Sequence, residues 1–217
     1  MLATALVARV LDQMTASPAA DTSRAEGLIG QALAASPNSP VAHYAKGRML
    51  RAQGRPEDAI SEFETVLAFD RNRVYALHDL GECKLLVGSI EEAIPLHERA
   101  IRLSPRDPLI GNYFFAIGVV HLLQSRTDET ILWLEKAHRA NPELAYVRSH
   151  LASAYALQGQ AERAAAELAE ARRLCSDGRY SSVARLKATG YFGVPKILAL
   201  FEATYLAGLR KAGVPEE

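Results

Sequence analysis

Cysteine, aromatic residues and surplus charge are all scarce in this chain of 217 residues. Cys83 and Cys175 are the two cysteines, too few for the disulfide framework of a small secreted domain. They stand nearly three lengths of the repeat described below apart, so no bridge between them is expected and a reducing compartment is the natural setting. Lysine plus arginine equals aspartate plus glutamate at 25 each, and no charge bias points to nucleic acid or an anionic membrane. Aromatic residues make up 7% and apolar residues 49%. With many alanines in that share, the composition suits close-packed helices rather than a sheet. No stretch approaches the roughly 20 apolar residues of a membrane span. The opening segment MLATALVARVLDQMTA carries Arg9 and Asp12 and lacks a basic leader and a small-residue cleavage site. It reads as a helix rather than a signal peptide, and a cytoplasmic protein is expected.

Catalytic signatures are missing too. The chain has no GxGxxG, no GxxxxGK, no HExxH and no CxxC. Nothing resembles GxSxG or a kinase signature. His97, His121, His138 and His150 show no i, i+4 histidine pair of the zinc-binding kind and read as packed side chains. Cys83 reads as a small buried hydrophobe. Cys175 reads as an ordinary helix-end thiol; the rival is that Arg172 and Arg173 beside it lower its pKa. No enzyme activity, cofactor or metal site is expected.

What is present is repetition. The segment Gly81–Pro105, GECKLLVGSIEEAIPLHERAIRLSP, reads as two short amphipathic helices joined at Val87-Gly88-Ser89. Ser89 with Glu92 three residues on predicts a capping box. Similar segments precede and follow it. Gly47, Gly81, Gly118 and Ala152 share one position of the first helix, where a small residue lets two helices approach. Gly54, Gly88, Ser125 and Gly159 fall at the turn. Ala59, Ala93, Thr130 and Ala164 mark the start of the second helix, and Val66, Ala100, Ala137 and Ala171 its later close contact. Successive spacings are 34, 37 and 34 residues, so three extra residues lie near Pro108–Ile110.

A 34-residue period with small and aromatic or aliphatic residues in these positions resembles the tetratricopeptide repeat family. The reading is all-α: a right-handed α-α superhelix of about five helix-turn-helix repeats in one domain over 1–217. Residues 1–38 form a divergent repeat, with a first helix from about Ala3 to Met14, the loop TASPAADTS and a second helix over Ser23–Ala35. Full repeats cover 40–73, 74–107, 111–144 and 145–178. Asn38-Ser39-Pro40, Asp107-Pro108 and Asn141-Pro142 each provide a cap followed by proline. Residues 181–212 form the C-terminal cap, with a short helix over Ser181–Ala188, breaks at Gly190 and Gly193, and a longer helix over Val194–Lys211. Its stripe Ile197, Leu200, Phe201, Tyr205, Leu209 is expected on the exposed face of the fifth repeat; docking of that helix into a partner is the rival. The phrasing of AHYAKGRMLRAQGR, GSIEEAIPLHERAIRLSPRDP, GVVHLLQSRTDETILWLEKA and GYFGVPKILALFEATYLAGLRKAGVPEE also resembles the C-terminal repeat region of rhizobial-type adenylate/guanylate cyclase proteins. That likeness implies a bacterial, non-catalytic region of a signalling enzyme.

The tetratricopeptide resemblance implies a concave face lined by the first helices, at positions three or four apart. These are Val41, Tyr44, Arg48 and Arg51; Tyr75, His78, Glu82 and Leu85; Asn112, Phe115, Val119 and Leu122; and Tyr146, Ser149, Ser153 and Ala156. Tyr44, Arg48, Arg51, Tyr75, His78, Glu82, Asn112, Phe115, Tyr146 and Ser149 are the candidate partner-binding residues, because aromatic and arginine anchors carry most of the energy at such surfaces. The alternative is that the tyrosines pack against the next repeat. Arg48 and Arg51 loosely resemble a carboxylate clamp whose asparagine and lysine pattern is not reproduced. A protein or peptide partner is expected, with no nucleic acid, no membrane and a homodimer left open. A regulatory or oligomerisation module of a cyclase-like signalling enzyme is the alternative function, and an enzyme with its site in the groove a third. Lys46 and Lys84 stand where the family keeps apolar residues, either snorkelling or paired with a carboxylate of the next repeat.

Overall fold

The computed structural model describes residues 2–11, 17–190 and 192–217. Ten helices follow one another as antiparallel pairs: α1 (Leu2–Leu11) with α2 (Pro18–Ala35), α3 (Pro40–Ala52) with α4 (Pro56–Phe69), α5 (Val74–Leu86) with α6 (Ile90–Leu103), α7 (Ile110–Leu123) with α8 (Thr127–Ala140), and α9 (Ala145–Leu157) with α10 (Ala161–Leu174). No strand is present among the described residues. The pairs stack in an α-α superhelical solenoid, and each first helix contacts the first helix of the next pair.

The pairing rule is readable in the side chains. A Cβ on Gly47, Gly81 or Gly118 would lie 2.7–2.9 Å from Phe63, His97 or Leu134 respectively. Each partner is sixteen residues on, and Ala152 clusters with Leu168 at the same offset. The missing side chain therefore receives the large one of the second helix. Ala59, Ala93, Thr130 and Ala164 are fully buried, as are Ala100, Ala137 and Ala171, with Val66 nearly so. The turns depend on the left-handed region, where a Cβ is costly. Gly54, Gly88 and Gly159 have φ of +70, +94 and +82°, and Ser125 adopts +59° without being glycine.

Several local expectations change. The stretch from Pro18 to Ser23, expected as loop, is helical: α2 begins at Pro18, whose missing N–H costs nothing at a first turn. The expected first helix beyond Leu11 lies outside the described residues. The capping box is not made: the Ser89 side chain makes no capping bond, and the Glu92 carboxylate pairs instead with Lys84 at 3.0 Å. Ser39 does cap α3, accepting from Ala42 N at 3.4 Å. Asp107 and Asn141 do not cap. Their carboxylate and amide oxygens accept from Leu109 N at 2.8 Å and Glu143 N at 3.1 Å, turning the linkers two residues ahead of them. Lys46 pairs with Glu62 at 2.7 Å, across its own helix pair rather than into the next repeat. Lys84 reaches Glu92 of its own pair and Glu64 of the preceding one.

After α10 the chain takes a 3-10 turn (Arg179–Ser181) and a short helix, α11 (Val183–Thr189), capped by Ser182 Oγ. Val194 N then bonds Leu86 O at 2.9 Å, at the far end of α5. Gly193 is obligatory there: with φ +83°, its Cβ would lie 2.5 Å from that same carbonyl. From this anchor α12 (Pro195–Phe201) runs through a π turn (Glu202–Leu206) into α13 (Ala207–Lys211). Ile197, Phe201, Tyr205, Leu206 and Leu209 are buried in one cluster with Leu85, Val119 and Leu122. The helix packs against α9 of the fifth repeat, as expected, but extends past that repeat. It crosses α9 and α7 on the side formed by the first helices.

Candidate functional site: a groove half filled by its own chain

The side chains expected along the concave face divide into two groups. Toward α9 they are covered. Ser149 is fully buried, bonded to the Tyr205 hydroxyl at 2.9 Å. Ser153 Oγ donates to Tyr205 O at 2.8 Å within the π turn. His150 stacks on Tyr205 at 3.9 Å between centroids, with planes 11° apart. A Cβ on Gly208 would lie 2.6 Å from Ser153 O, so only glycine lets α13 approach this closely. Ser149 is therefore not a groove residue. An amphipathic stripe was visible in the sequence, but not the face that receives it.

Toward α3 the face is open. Tyr44, Arg48, Arg51, Tyr75, His78, Asp79, Leu109 and Asn112 line a cavity of about 320 Å³. Arg51, His78, Glu82, Asn112, Phe115 and Tyr146 line an adjoining one of about 250 Å³. Nine of the ten candidate residues thus border open space, and Tyr75 is 41% exposed. Phe115 meets Tyr146 edge-on at 4.7 Å, and the Tyr146 hydroxyl donates to Asn112 Oδ1 at 2.8 Å. A third cavity, of about 450 Å³, opens at Pro108 and Leu109 toward Asn141 and Tyr180, where the three extra residues widen the linker.

Asp79 organises the open half. It is buried, accepts from the Tyr44 hydroxyl at 2.8 Å, and pairs with Arg51 at 3.1 Å and more loosely with Arg48 at 3.9 Å. The arginines are thus anchored from below rather than waving over the groove, and one of their two charges is already met. Burial, then the nearby Asp79 charge, pushes the Tyr44 hydroxyl well above its usual range. Sequence reasoning missed Asp79, although a carboxylate stands there where the other pairs place Ala45, Ala116 and His150. Next to it, His78 Nδ1 and His97 Nδ1 face each other at 3.3 Å. Burial, then Arg51 and Arg48, hold His78 down to about 3, and burial above all holds His97 well below its ordinary value. Glu82, one turn beyond His78, is pushed up by burial, an effect offset by Arg51 and reinforced by Asp79.

Both thiols are shifted away from the thiolate form. Burial pushes the Cys83 thiol up to about 12. Cys175 is raised, not lowered, by burial and by its hydrogen bond to Asp177 at 3.2 Å.

Comparisons agree with this architecture. Residues 19–80 match the tetratricopeptide repeat family. The fold is a tetratricopeptide-repeat solenoid. PilF of Pseudomonas aeruginosa superposes with a TM-score of 0.67 over 97% of this chain and 87% of that one, at 18% identity. YrrB, a tetratricopeptide protein with an unusual peptide-binding site, superposes with a TM-score of 0.54 over 83% and 91% of the two chains, at 16% identity. Among curated proteins, the chain is 29% identical over 148 residues to the TPR repeat-containing thioredoxin TTL4 of Arabidopsis thaliana, over 68% of its own length. It spans about one fifth of that relative, 20% of its length. No helix among the described residues is long and apolar enough to cross a membrane.

Proposed function

We propose that this chain is a non-catalytic interaction scaffold, one repeat domain that takes a peptide or protein segment in the open half of its groove. One observation carries the reading. The same concave face is filled at one end by an amphipathic helix of the chain itself, and is open, aromatic and polar at the other. Ile197, Phe201, Tyr205 and Leu209, four residues apart, show how a helix is gripped there. Tyr75, Tyr44, Arg48 and Asn112 offer the anchors for a second segment. The peptide-binding site of YrrB supports the same use of this fold. The proposal involves neither nucleic acid nor membrane. Panning a displayed peptide library against the wild type and Tyr75→Ala tests it. Peptides should be enriched on the wild type and lose at least about fivefold in affinity on the variant, about 1 kcal/mol for an exposed aromatic anchor. No enrichment, or peptides held equally by both, refutes it.

A second reading, a regulatory or oligomerisation module within a longer signalling chain, is favoured by the place of the matching segment in TTL4, where it is one part of a much longer protein. The cyclase-like identity of that longer chain rests on the phrasing of the sequence. Light scattering of the purified protein decides whether it forms a homodimer, and the intact mass of the native product decides whether the array is part of a larger polypeptide.

A further inference from the structure

The pair α5–α6 differs from the pairs α3–α4, α7–α8 and α9–α10 in one cluster. At the position where Phe63, Leu134 and Leu168 fill the space over a small residue, this pair places His97. At the positions of His78 and Glu82 the other pairs carry Tyr44, Phe115 and Ser149, and Arg48, Val119 and Ser153. A fully buried imidazole in an otherwise apolar slot costs desolvation, offset here by one hydrogen bond, the 3.3 Å contact between His97 Nδ1 and His78 Nδ1. His97 Nε2 is sealed against Gly81 with no hydrogen-bond partner, so the ring offers its polarity only through Nδ1, toward His78 and the groove. Glu82 makes no hydrogen bond or ion pair among the described residues, although it borders the cavity.

We propose that His78, Glu82 and His97 form a site for one divalent transition-metal ion of the zinc type, with its remaining coordination open to the groove. Potential ligand atoms of the three lie within 4.8 Å of one another. The two Nδ1 atoms are 3.3 Å apart. Two nitrogens bound to zinc at roughly 2.0–2.1 Å in a tetrahedron are separated by about 3.3–3.4 Å, so the histidines already span one tetrahedral edge. His78 and Glu82 are one helical turn apart on α5, and His97 arrives from α6 through the glycine contact, so the pair's own packing holds the set together. Burial disfavours protonation of both rings, in the direction that metal binding requires. Asp79 answers Arg51 at 3.1 Å and Arg48 more loosely at 3.9 Å, so the Glu82 carboxylate is the anionic ligand that must offset the arginines beside the ion. The two imidazoles favour zinc, nickel or copper over calcium or magnesium. The site stands independently of the peptide-binding reading, since it binds its ion in the isolated protein.

The test is a calorimetric titration of chelator-treated, full-length protein with zinc chloride, beside Glu82→Gln and His97→Leu. Leucine is the residue that the next two pairs carry at the position of His97, so the second variant is built to fold, and circular dichroism checks that it does. The wild type should take up one zinc per chain, weakened at least about tenfold in each variant. Cobalt should give the visible bands of a tetrahedral nitrogen–oxygen site without a thiolate charge-transfer band. No saturable uptake by the wild type, full affinity in Glu82→Gln, or a thiolate band would overturn the proposal. Should His97→Leu unfold, Glu82→Gln and the cobalt spectrum decide.

Discussion

Tyr205 is the residue on which the self-filled half of the groove turns. Its ring is 2% exposed, stacked on His150 and edge-on to Phe201 at 6.3 Å, while its hydroxyl meets Ser149. Replacing such a ring by alanine removes its transfer free energy and leaves a cavity, a loss of about 3–5 kcal/mol. Tyr205→Phe keeps the ring and deletes one hydrogen bond. Ser149 still donates to Tyr146 O at 2.9 Å, so no orphan is created and the cost should be about 1 kcal/mol. The two variants separate packing from hydrogen bonding. Urea unfolding followed by circular dichroism gives both values, and hydrogen exchange reports where protection is lost. In Tyr205→Ala the loss should appear first in Pro195–Lys211 and on the face of α9 beneath it, because undocking this helix frees Leu85, Val119 and Leu122 without unstacking the solenoid. If Tyr205→Ala costs less than about 1 kcal/mol and exchange is unchanged, the helix is not seated as described.

Asp79→Ala should destabilise by about 1–3 kcal/mol, since it takes the partner from the half-buried Arg51 guanidinium and from the Tyr44 hydroxyl; a neutral result in chemical denaturation would show that both groups are solvated. His150 is held down to about 4 by burial, against an ordinary 6.5. Between these values the unfolded chain binds the proton and the folded chain does not, so its contribution is complete above about pH 6.5 and is lost as pH falls toward 4. The loss is on the order of 3 kcal/mol. Stability measured from pH 7 to 4 should fall more steeply in the wild type than in His150→Phe, and parallel profiles would contradict this. Ser125→Gly should raise stability by up to about 1 kcal/mol by relieving a left-handed serine, whereas Gly81→Leu, driving a side chain into His97, should lower the melting temperature sharply; a wild-type melting curve for Gly81→Leu would remove the basis of the repeat register.

The repeat itself was legible because it is local chemistry. A glycine at each turn, a small residue sixteen positions before a large one, and alanine at each close contact are constraints within a single helix pair, so they recur with the period and can be counted. The candidate residues from Tyr44 to Tyr146 came from what the tetratricopeptide resemblance implies about the first helices, and they border cavities. Asp79 and the His78–Glu82–His97 set escaped because the family pattern was read for what repeats, and these residues matter where one pair departs from it. Glu92 was misjudged for a related reason: Lys84 reaches it through side-chain geometry that spacing does not fix.

The sequence alone determined that helices form, where they turn, and that neighbouring pairs stack, since each of those is set by contacts within about one repeat. Only the tertiary structure decided where the last helix lies. An amphipathic stripe states that a helix must bury one face; it does not state against what. That choice was made by Gly193 against the Leu86 carbonyl and Gly208 against Ser153, two close approaches between segments far apart in the chain.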